Sequence, residues 1–153
     1  MPKNTEIVSN FIGELKRQDP NLAASCEKLA NGEKKRFVVT ALSAAEAARY
    51  RKYGINGGAR LWLNVFSFRH LVNSGHIGGL KKSGLKDDSP LSVEDFLNLR
   101  QIFKNPGKIY RSGGRIIIEN KTGKKHRLVV EMNKNQKDVD LVTYFNISKA
   151  RKK

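Results

Sequence analysis

The last third of the chain constrains the fold most. Four short segments, 108–111, 115–119, 126–132 and 139–147, are rich in β-branched and aromatic residues. Ser112-Gly113-Gly114, Asn120-Lys-Thr-Gly123 and Asn133–Lys137 supply turn chemistry between them. Connections this short join antiparallel neighbours, so the pattern predicts a four-stranded meander. The alternation is partial: Leu128, Val130 and Met132 share one face, and Leu141, Thr143, Phe145 and Ile147 share another. One face of the sheet is expected to pack on helices. The other has room for Arg111, Arg115, Arg127 and Tyr144.

The upstream residues supply those helices. Ile7, Val8, Phe11, Ile12 and Leu15 recur at helical spacing across Thr5–Arg17. Asp19-Pro20 breaks that helix and opens a second one, which Asn31-Gly32 ends. Phe37-Val-Val-Thr40 suits a strand. Ser43-Ala-Ala-Glu46 is a capping box opening an Ala-rich helix that Gly54 closes. Leu61–Phe66 predicts a short strand, and Ser67 a cap for a helix carrying Arg69, His70, Leu71 and Val72. Residues 75–89 predict a surface loop. Ser92-Val-Glu-Asp95 is another capping box, and Asn105-Pro106-Gly107 ends its helix. Helices followed by a sheet make an α+β fold, with N-terminal helices packed on a C-terminal antiparallel sheet of about four strands. Phe96, Leu97, Phe103, Val130, Leu141 and Phe145 are expected to be buried. The chain divides into an N-terminal helical segment at 1–34, an α+β domain at 35–148 and a basic tail at 149–153.

Charge narrows the partners. Thirty Lys and Arg residues against 14 Asp and Glu give a formal net charge of +16. Residues 100–153 hold 15 basic and 4 acidic residues, a net of +11. A single-sign field of this size is best explained by a polyanion, whose binding releases counterions. Neither a long apolar run nor a basic amphipathic helix with a broad apolar face is present, so no membrane partner is expected. The first 16 residues mix Lys, Glu and Asn with apolar residues, unlike a signal peptide. The expected setting is cytoplasmic, in the chain's own cell or in a target cell into which it is delivered. The single cysteine, Cys26, allows no intramolecular disulfide and no Cys-based zinc site, and reads as a small core residue.

The chemistry then falls to histidine. His70, His76 and His126 have no metal-ligand context, and no phosphate-binding glycine loop is present. No metal and no cofactor is expected. Histidines in a very basic chain suit RNA cleavage by the ribose 2′-OH, in which a base and an acid move two protons and a cation stabilises the phosphorane. His70 and His76 bracket Leu71-Val-Asn-Ser-Gly75 and form the sharpest pair. Arg111 and Arg115 are candidates for the phosphate-stabilising cation, from charge and position. Arg69, Lys124, Lys125, Arg127 and Tyr144 are candidates for nucleic-acid contact.

Three blocks taken in order resemble a known group. They are Leu61-Trp-Leu-Asn-Val-Phe66 followed by Arg69-His70-Leu-Val-Asn-Ser-Gly-His76; Phe96–Pro106; and the strands Arg115–Glu119, Leu128–Glu131 and Leu141–Phe145. Over roughly Phe37–Ile147 the chain resembles the phage-associated branch of the nuclease superfamily that includes barnase, EndoU endoribonucleases, colicin-type tRNases and RelE-like toxins. The resemblance implies a nuclease-like domain and a metal-independent endoribonuclease acting on RNA, with tRNA as one substrate, as a toxin or phage effector. His70 and His76 match the paired histidines, and Thr143 matches the threonine of the last strand. The Gly- and Lys-rich stretch after His76 departs from the pattern. A small acidic immunity or antitoxin protein would be the partner of such a toxin. Two other readings use the same charge: a non-catalytic RNA- or DNA-binding module, and a structural phage or ribosome-associated protein. Histidine dependence separates the enzyme from both.

Overall fold

The computed structural model describes residues 4–73, 76–77, 91–120, 125–135 and 137–147, without the side chains of 4, 5 and 7. The fold is α+β. Helices α1 (Asn4–Gln18) and α2 (Pro20–Ala30) precede strand β1 (Arg36–Ala41), the short helix α3 (Ala44–Ala47) and a 3-10 turn at Arg51–Tyr53. Then come β2 (Arg60–Asn64), α4 (Val65–Asn73), α5 (Val93–Lys104), β3 (Lys108–Ser112), β4 (Arg115–Glu119), β5 (His126–Met132) and β6 (Val139–Asn146). None of the helices in the described residues is long and apolar enough to cross a membrane.

Local chemistry explains most of the boundaries. Asp19 caps α2, its carboxylate accepting from the Leu22 amide at 3.0 Å, with Pro20 in the first turn. Both predicted capping boxes close reciprocally, Ser43 with Glu46 and Ser92 with Asp95. Gly54 ends the 3-10 turn at φ 85°, a left-handed conformation that glycine adopts without a Cβ clash. Two boundaries differ from expectation. The helix expected from the Ser43 capping box to Gly54 is α-helical only over Ala44–Ala47, and a separate 3-10 turn at Arg51–Tyr53 is what Gly54 closes. The strand predicted through Phe66 stops at Asn64, because the Asn64 side chain accepts from the Ser67 amide at 2.8 Å and starts α4 three residues early. Ser67 is therefore inside the helix rather than its cap, and its hydroxyl donates to the Leu141 carbonyl at 2.5 Å.

The expected antiparallel meander is present as β3–β6, but it is part of a larger sheet. Six strands run in the order β1-β2-β6-β5-β4-β3. β1 and β2 form an antiparallel hairpin, and β2 joins β6 in parallel through Leu61–Val139 and Trp62–Asp140. That junction pairs segments almost eighty residues apart, and nothing local announces it. β2 is short, and where it ends α4 takes its place against the outer edge of β6.

One face of the sheet packs on the helices. Phe37, Leu61, Leu63, Val139, Leu141, Leu128, Val130, Ile116 and Ile118 join Phe96, Phe103 and residues of α1, α2 and α4 in one core. The Phe11 and Phe96 rings meet edge to face at 5.4 Å, which ties α1 to α5. Cys26 lies fully buried in this core, and burial pushes its thiol up to about 12. Leu97 is only partly buried, packed at the rim.

A β-bulge corrects the expected facing of β6. Val129 pairs with Thr143 but Val130 pairs with Leu141, so Val142 is an extra residue. The alternation inverts across it. Leu141 and Tyr144 face the core, and Thr143 and Phe145 face the open side. The expectation that Phe145 is buried is thereby overturned, as is the expectation that Tyr144 contacts nucleic acid. Tyr144 is fully buried and donates to the Asp95 carbonyl at 2.7 Å, and burial pushes its phenol pKa up.

Candidate active site on the open face of the sheet

The open face carries polar, cationic and aromatic side chains. Strand pairing puts Lys108, Glu119, Arg127 and Phe145 in one row across β3, β4, β5 and β6. The row continues onto α4 and the chain after it. His76 stacks on Phe145, with ring centroids 5.2 Å apart and planes inclined by 21°. His70 meets His76 edge to face, with centroids 6.0 Å apart. The two histidines singled out from the sequence are thus neighbours in space.

Their surroundings differ. His70 is exposed on the last turns of α4, while His76 is half-buried. Backbone bonds fix the His76 segment: the Ile77 amide donates to the Leu71 carbonyl at 3.0 Å, and the Leu91 amide donates to the His76 carbonyl at 2.7 Å. Ile77 is fully buried beside them. The chain therefore turns back over the end of α4 and holds the second ring against the first.

Arg127 completes the row. Its guanidinium carbon lies 5.9 Å from the Phe145 ring centroid. Nε and Nη2 donate to one oxygen of Glu119, at 3.2 and 3.1 Å, and the Tyr110 hydroxyl donates to the same oxygen at 3.0 Å. Burial and this bond to a carboxylate raise the Tyr110 phenol above its ordinary value. Glu119 thus positions the guanidinium.

Thr143 lies one side-chain row from Phe145 on the same face, about 7 Å along the strand. Its hydroxyl oxygen is buried and without a hydrogen-bond partner among the described residues. Leaving such a group unsatisfied costs on the order of 1–3 kcal/mol, which a phosphate oxygen or a water reaching it would relieve.

The other candidates lie elsewhere. Arg111 pairs with Ile116, so it leaves β3 on the helix side, where it sits 5.8 Å over the Tyr53 ring. It is not gathered with the histidines. Arg115 is on the open face but at its far end, 3.9 Å from Glu131, roughly 13 Å along β5 from the Arg127 row. Arg69 lines a groove between α1, α2 and α4, with Val8, Ile12 and Phe68. Lys125 is exposed just before β5, and Lys124 lies outside the described residues, as do the tail at 149–153 and the predicted loop apart from His76 and Ile77. His126 is buried on the core side, its Nε2 3.5 Å from Asp95 Oδ1.

No family model, curated protein or solved structure matches this chain. Two residues of the open face escaped the sequence reading. Alternation along β6 places Phe145 in the core, and only the bulge turns it to the open face. Glu119 had a signal: a lone carboxylate on a strand of a very basic segment needs a cationic neighbour.

Proposed function

We propose that this chain is a metal-independent endoribonuclease that cleaves RNA by attack of the ribose 2′-OH. The observation that carries the reading is the meeting of His70 and His76 at 6.0 Å, beside Phe145 and Arg127, on the open face of a basic protein. One histidine takes the 2′-OH proton as the 2′ oxygen bonds to phosphorus. The bond from phosphorus to the 5′ oxygen breaks, and the other histidine supplies that oxygen's proton. The products are a 2′,3′-cyclic phosphate and a 5′-OH. Arg127 stabilises the charge on the phosphorane, in place of Arg111 or Arg115. Phe145 holds the His76 ring by stacking.

The resemblance to the barnase, EndoU, colicin-tRNase and RelE-like superfamily supports the same reading. It makes tRNA the first substrate to test, a barnase- or RelE-like arrangement the fold to compare, and a cytoplasm the place of action. An acidic immunity or antitoxin protein would fit over the same cations. A second reading is a non-catalytic RNA-binding module. It is favoured by cation–aromatic pairs spread over the open face, such as Lys108 at 5.1 Å from the Tyr110 ring centroid.

Incubation of the protein with total tRNA, with mapping of the product ends, decides between them. Cleavage should leave cyclic phosphate ends and persist in EDTA. Each of His70→Ala and His76→Ala should lower the rate by about 10²–10⁴-fold while RNA affinity stays nearly unchanged. The rate should rise and fall with pH, since one group must be protonated and the other not. No cleavage, cleavage surviving the double alanine variant, or loss of activity in EDTA would sink the mechanism.

A further inference from the structure

The open face continues from the histidines toward the β1–β2 edge as a strip of cations and aromatic rings. Trp62, half-buried on β2, has the Arg36 guanidinium carbon 4.4 Å from its ring centroid and that of Arg60 at 5.0 Å. Its indole N–H donates to Asp138 at 3.1 Å, which fixes the ring's orientation. Arg36 is exposed, and Lys34 and Lys35 beside it are exposed too. The Val65 amide donates to the Lys35 carbonyl at 2.8 Å, so the start of α4 lies against these cations.

Phe66 follows in the first turn of α4 and is 75% exposed. A ring so open contributes little to the core. His70 is four residues further, on the same flank of the helix. The other flanks are occupied: Ser67 bonds β6, and Phe68, Leu71 and Val72 are buried. Phe66 and His70, one helical turn apart, therefore share an exposed flank of α4, with Phe66 at the end nearer β2.

We propose that Phe66 is a stacking platform for a base of single-stranded RNA flanking the scissile phosphate, with Lys35 and the guanidiniums of Arg36 and Arg60 that stack on Trp62 holding the backbone beside it. The proposal rests on the reading of His70 and His76 as the cleavage site. Aromatic rings alternating with cations suit a single strand, whose unpaired bases offer π-faces and whose phosphates need neutralising. A duplex hides its base faces and offers only its phosphates to such a strip.

Trp62 is the only tryptophan in the chain, so intrinsic emission reports this subsite alone. The full-length protein is titrated with a short 2′-O-methyl oligonucleotide, which lacks the attacking hydroxyl and is not cut, and with the matching duplex. The single strand should quench Trp62 saturably and the duplex much less. Phe66→Ala, an exposed position, should keep the circular dichroism spectrum and weaken single-strand binding by about 5- to 100-fold. Gel-shift binding that leaves Trp62 emission unchanged overturns the proposal, as does unchanged affinity in Phe66→Ala. Absence of any oligonucleotide binding also overturns it and leaves the strip to an acidic protein surface. Quenching without tRNA cleavage supports the subsite and removes the catalytic reading. Histidine-dependent cleavage with silent Trp62 does the reverse.

Discussion

At the residue scale, Phe145 shows how position changes what a side chain does. A fully packed phenylalanine costs about 3–5 kcal/mol to truncate. Phe145 is only half-buried on the open face, with His76 stacked on one side and Arg127 near its ring. Its truncation should therefore cost less, about 1–2 kcal/mol in urea denaturation, since much of its surface already meets water. Catalysis should suffer more than stability, because the ring orients His76. Phe145→Ala is expected to lower the RNA cleavage rate at least about tenfold, whereas Phe145→Tyr, which keeps the stacking surface, should restore most of it. A stability loss near the full-core value with unchanged activity would return Phe145 to a purely structural role. The histidines were legible in the sequence because they are rare and closely spaced. Phe66 was less so, though a large aromatic four residues before His70, off the apolar stripe of Phe68, Leu71 and Val72, is the pattern that marks it.

At the element scale, what was legible is what is locally encoded. Capping boxes at Ser43 and Ser92, the break at Asp19-Pro20 and the glycine turn of the β3–β4 hairpin all act within a few residues, and they fall where expected. The Val142 bulge and the parallel β2–β6 junction depend on partners distant in sequence, and they set which side chains reach the open face. Asp138 holds that junction. It accepts from the Arg60 amide at 3.0 Å, the Arg60 side chain at 2.9 Å, Trp62 at 3.1 Å and Asn135 at 2.9 Å. Burial alone would raise its pKa, but these four partners outweigh burial and hold the carboxyl well below its ordinary value. A carboxylate with a depressed folded pKa stabilises the fold fully above its unfolded value of about 3.9, and that contribution is lost as pH falls further. Asp138→Asn should therefore destabilise the protein at pH 7 and reduce the fall in stability between about pH 5 and pH 2. Equal acid sensitivity of the two proteins in urea titrations would show that Asp138 does not link β2 to β6 through its charge.

At the scale of the whole molecule, the charge is arranged rather than merely abundant. The four acidic residues of 100–153 each have a partner: Arg127 donates to Glu119, Arg60 to Asp138, the Asn133 side-chain amide to Asp140 at 3.1 Å, and Arg115 lies 3.9 Å from Glu131. Glu119 and Asp138 fix Arg127 and Arg60 by hydrogen bonds, and the chain keeps a net charge of +16 for an external polyanion. Binding to RNA should therefore weaken steeply with salt, each phosphate neutralised contributing roughly −0.7 to the log–log slope on a single strand. Exposed Arg36 stands on the proposed track, and Arg36→Gln should flatten the slope by about that single increment. Arg111→Gln, on the helix side of the sheet, should leave it unchanged. Affinities for a 2′-O-methyl oligonucleotide, measured between about 50 and 200 mM salt, read both effects without cleavage. A slope insensitive to Arg36 but reduced by Arg111→Gln would move the RNA path off the open face. It would take the strand away from His70 and His76, since Arg111 leaves the sheet on the side opposite to them.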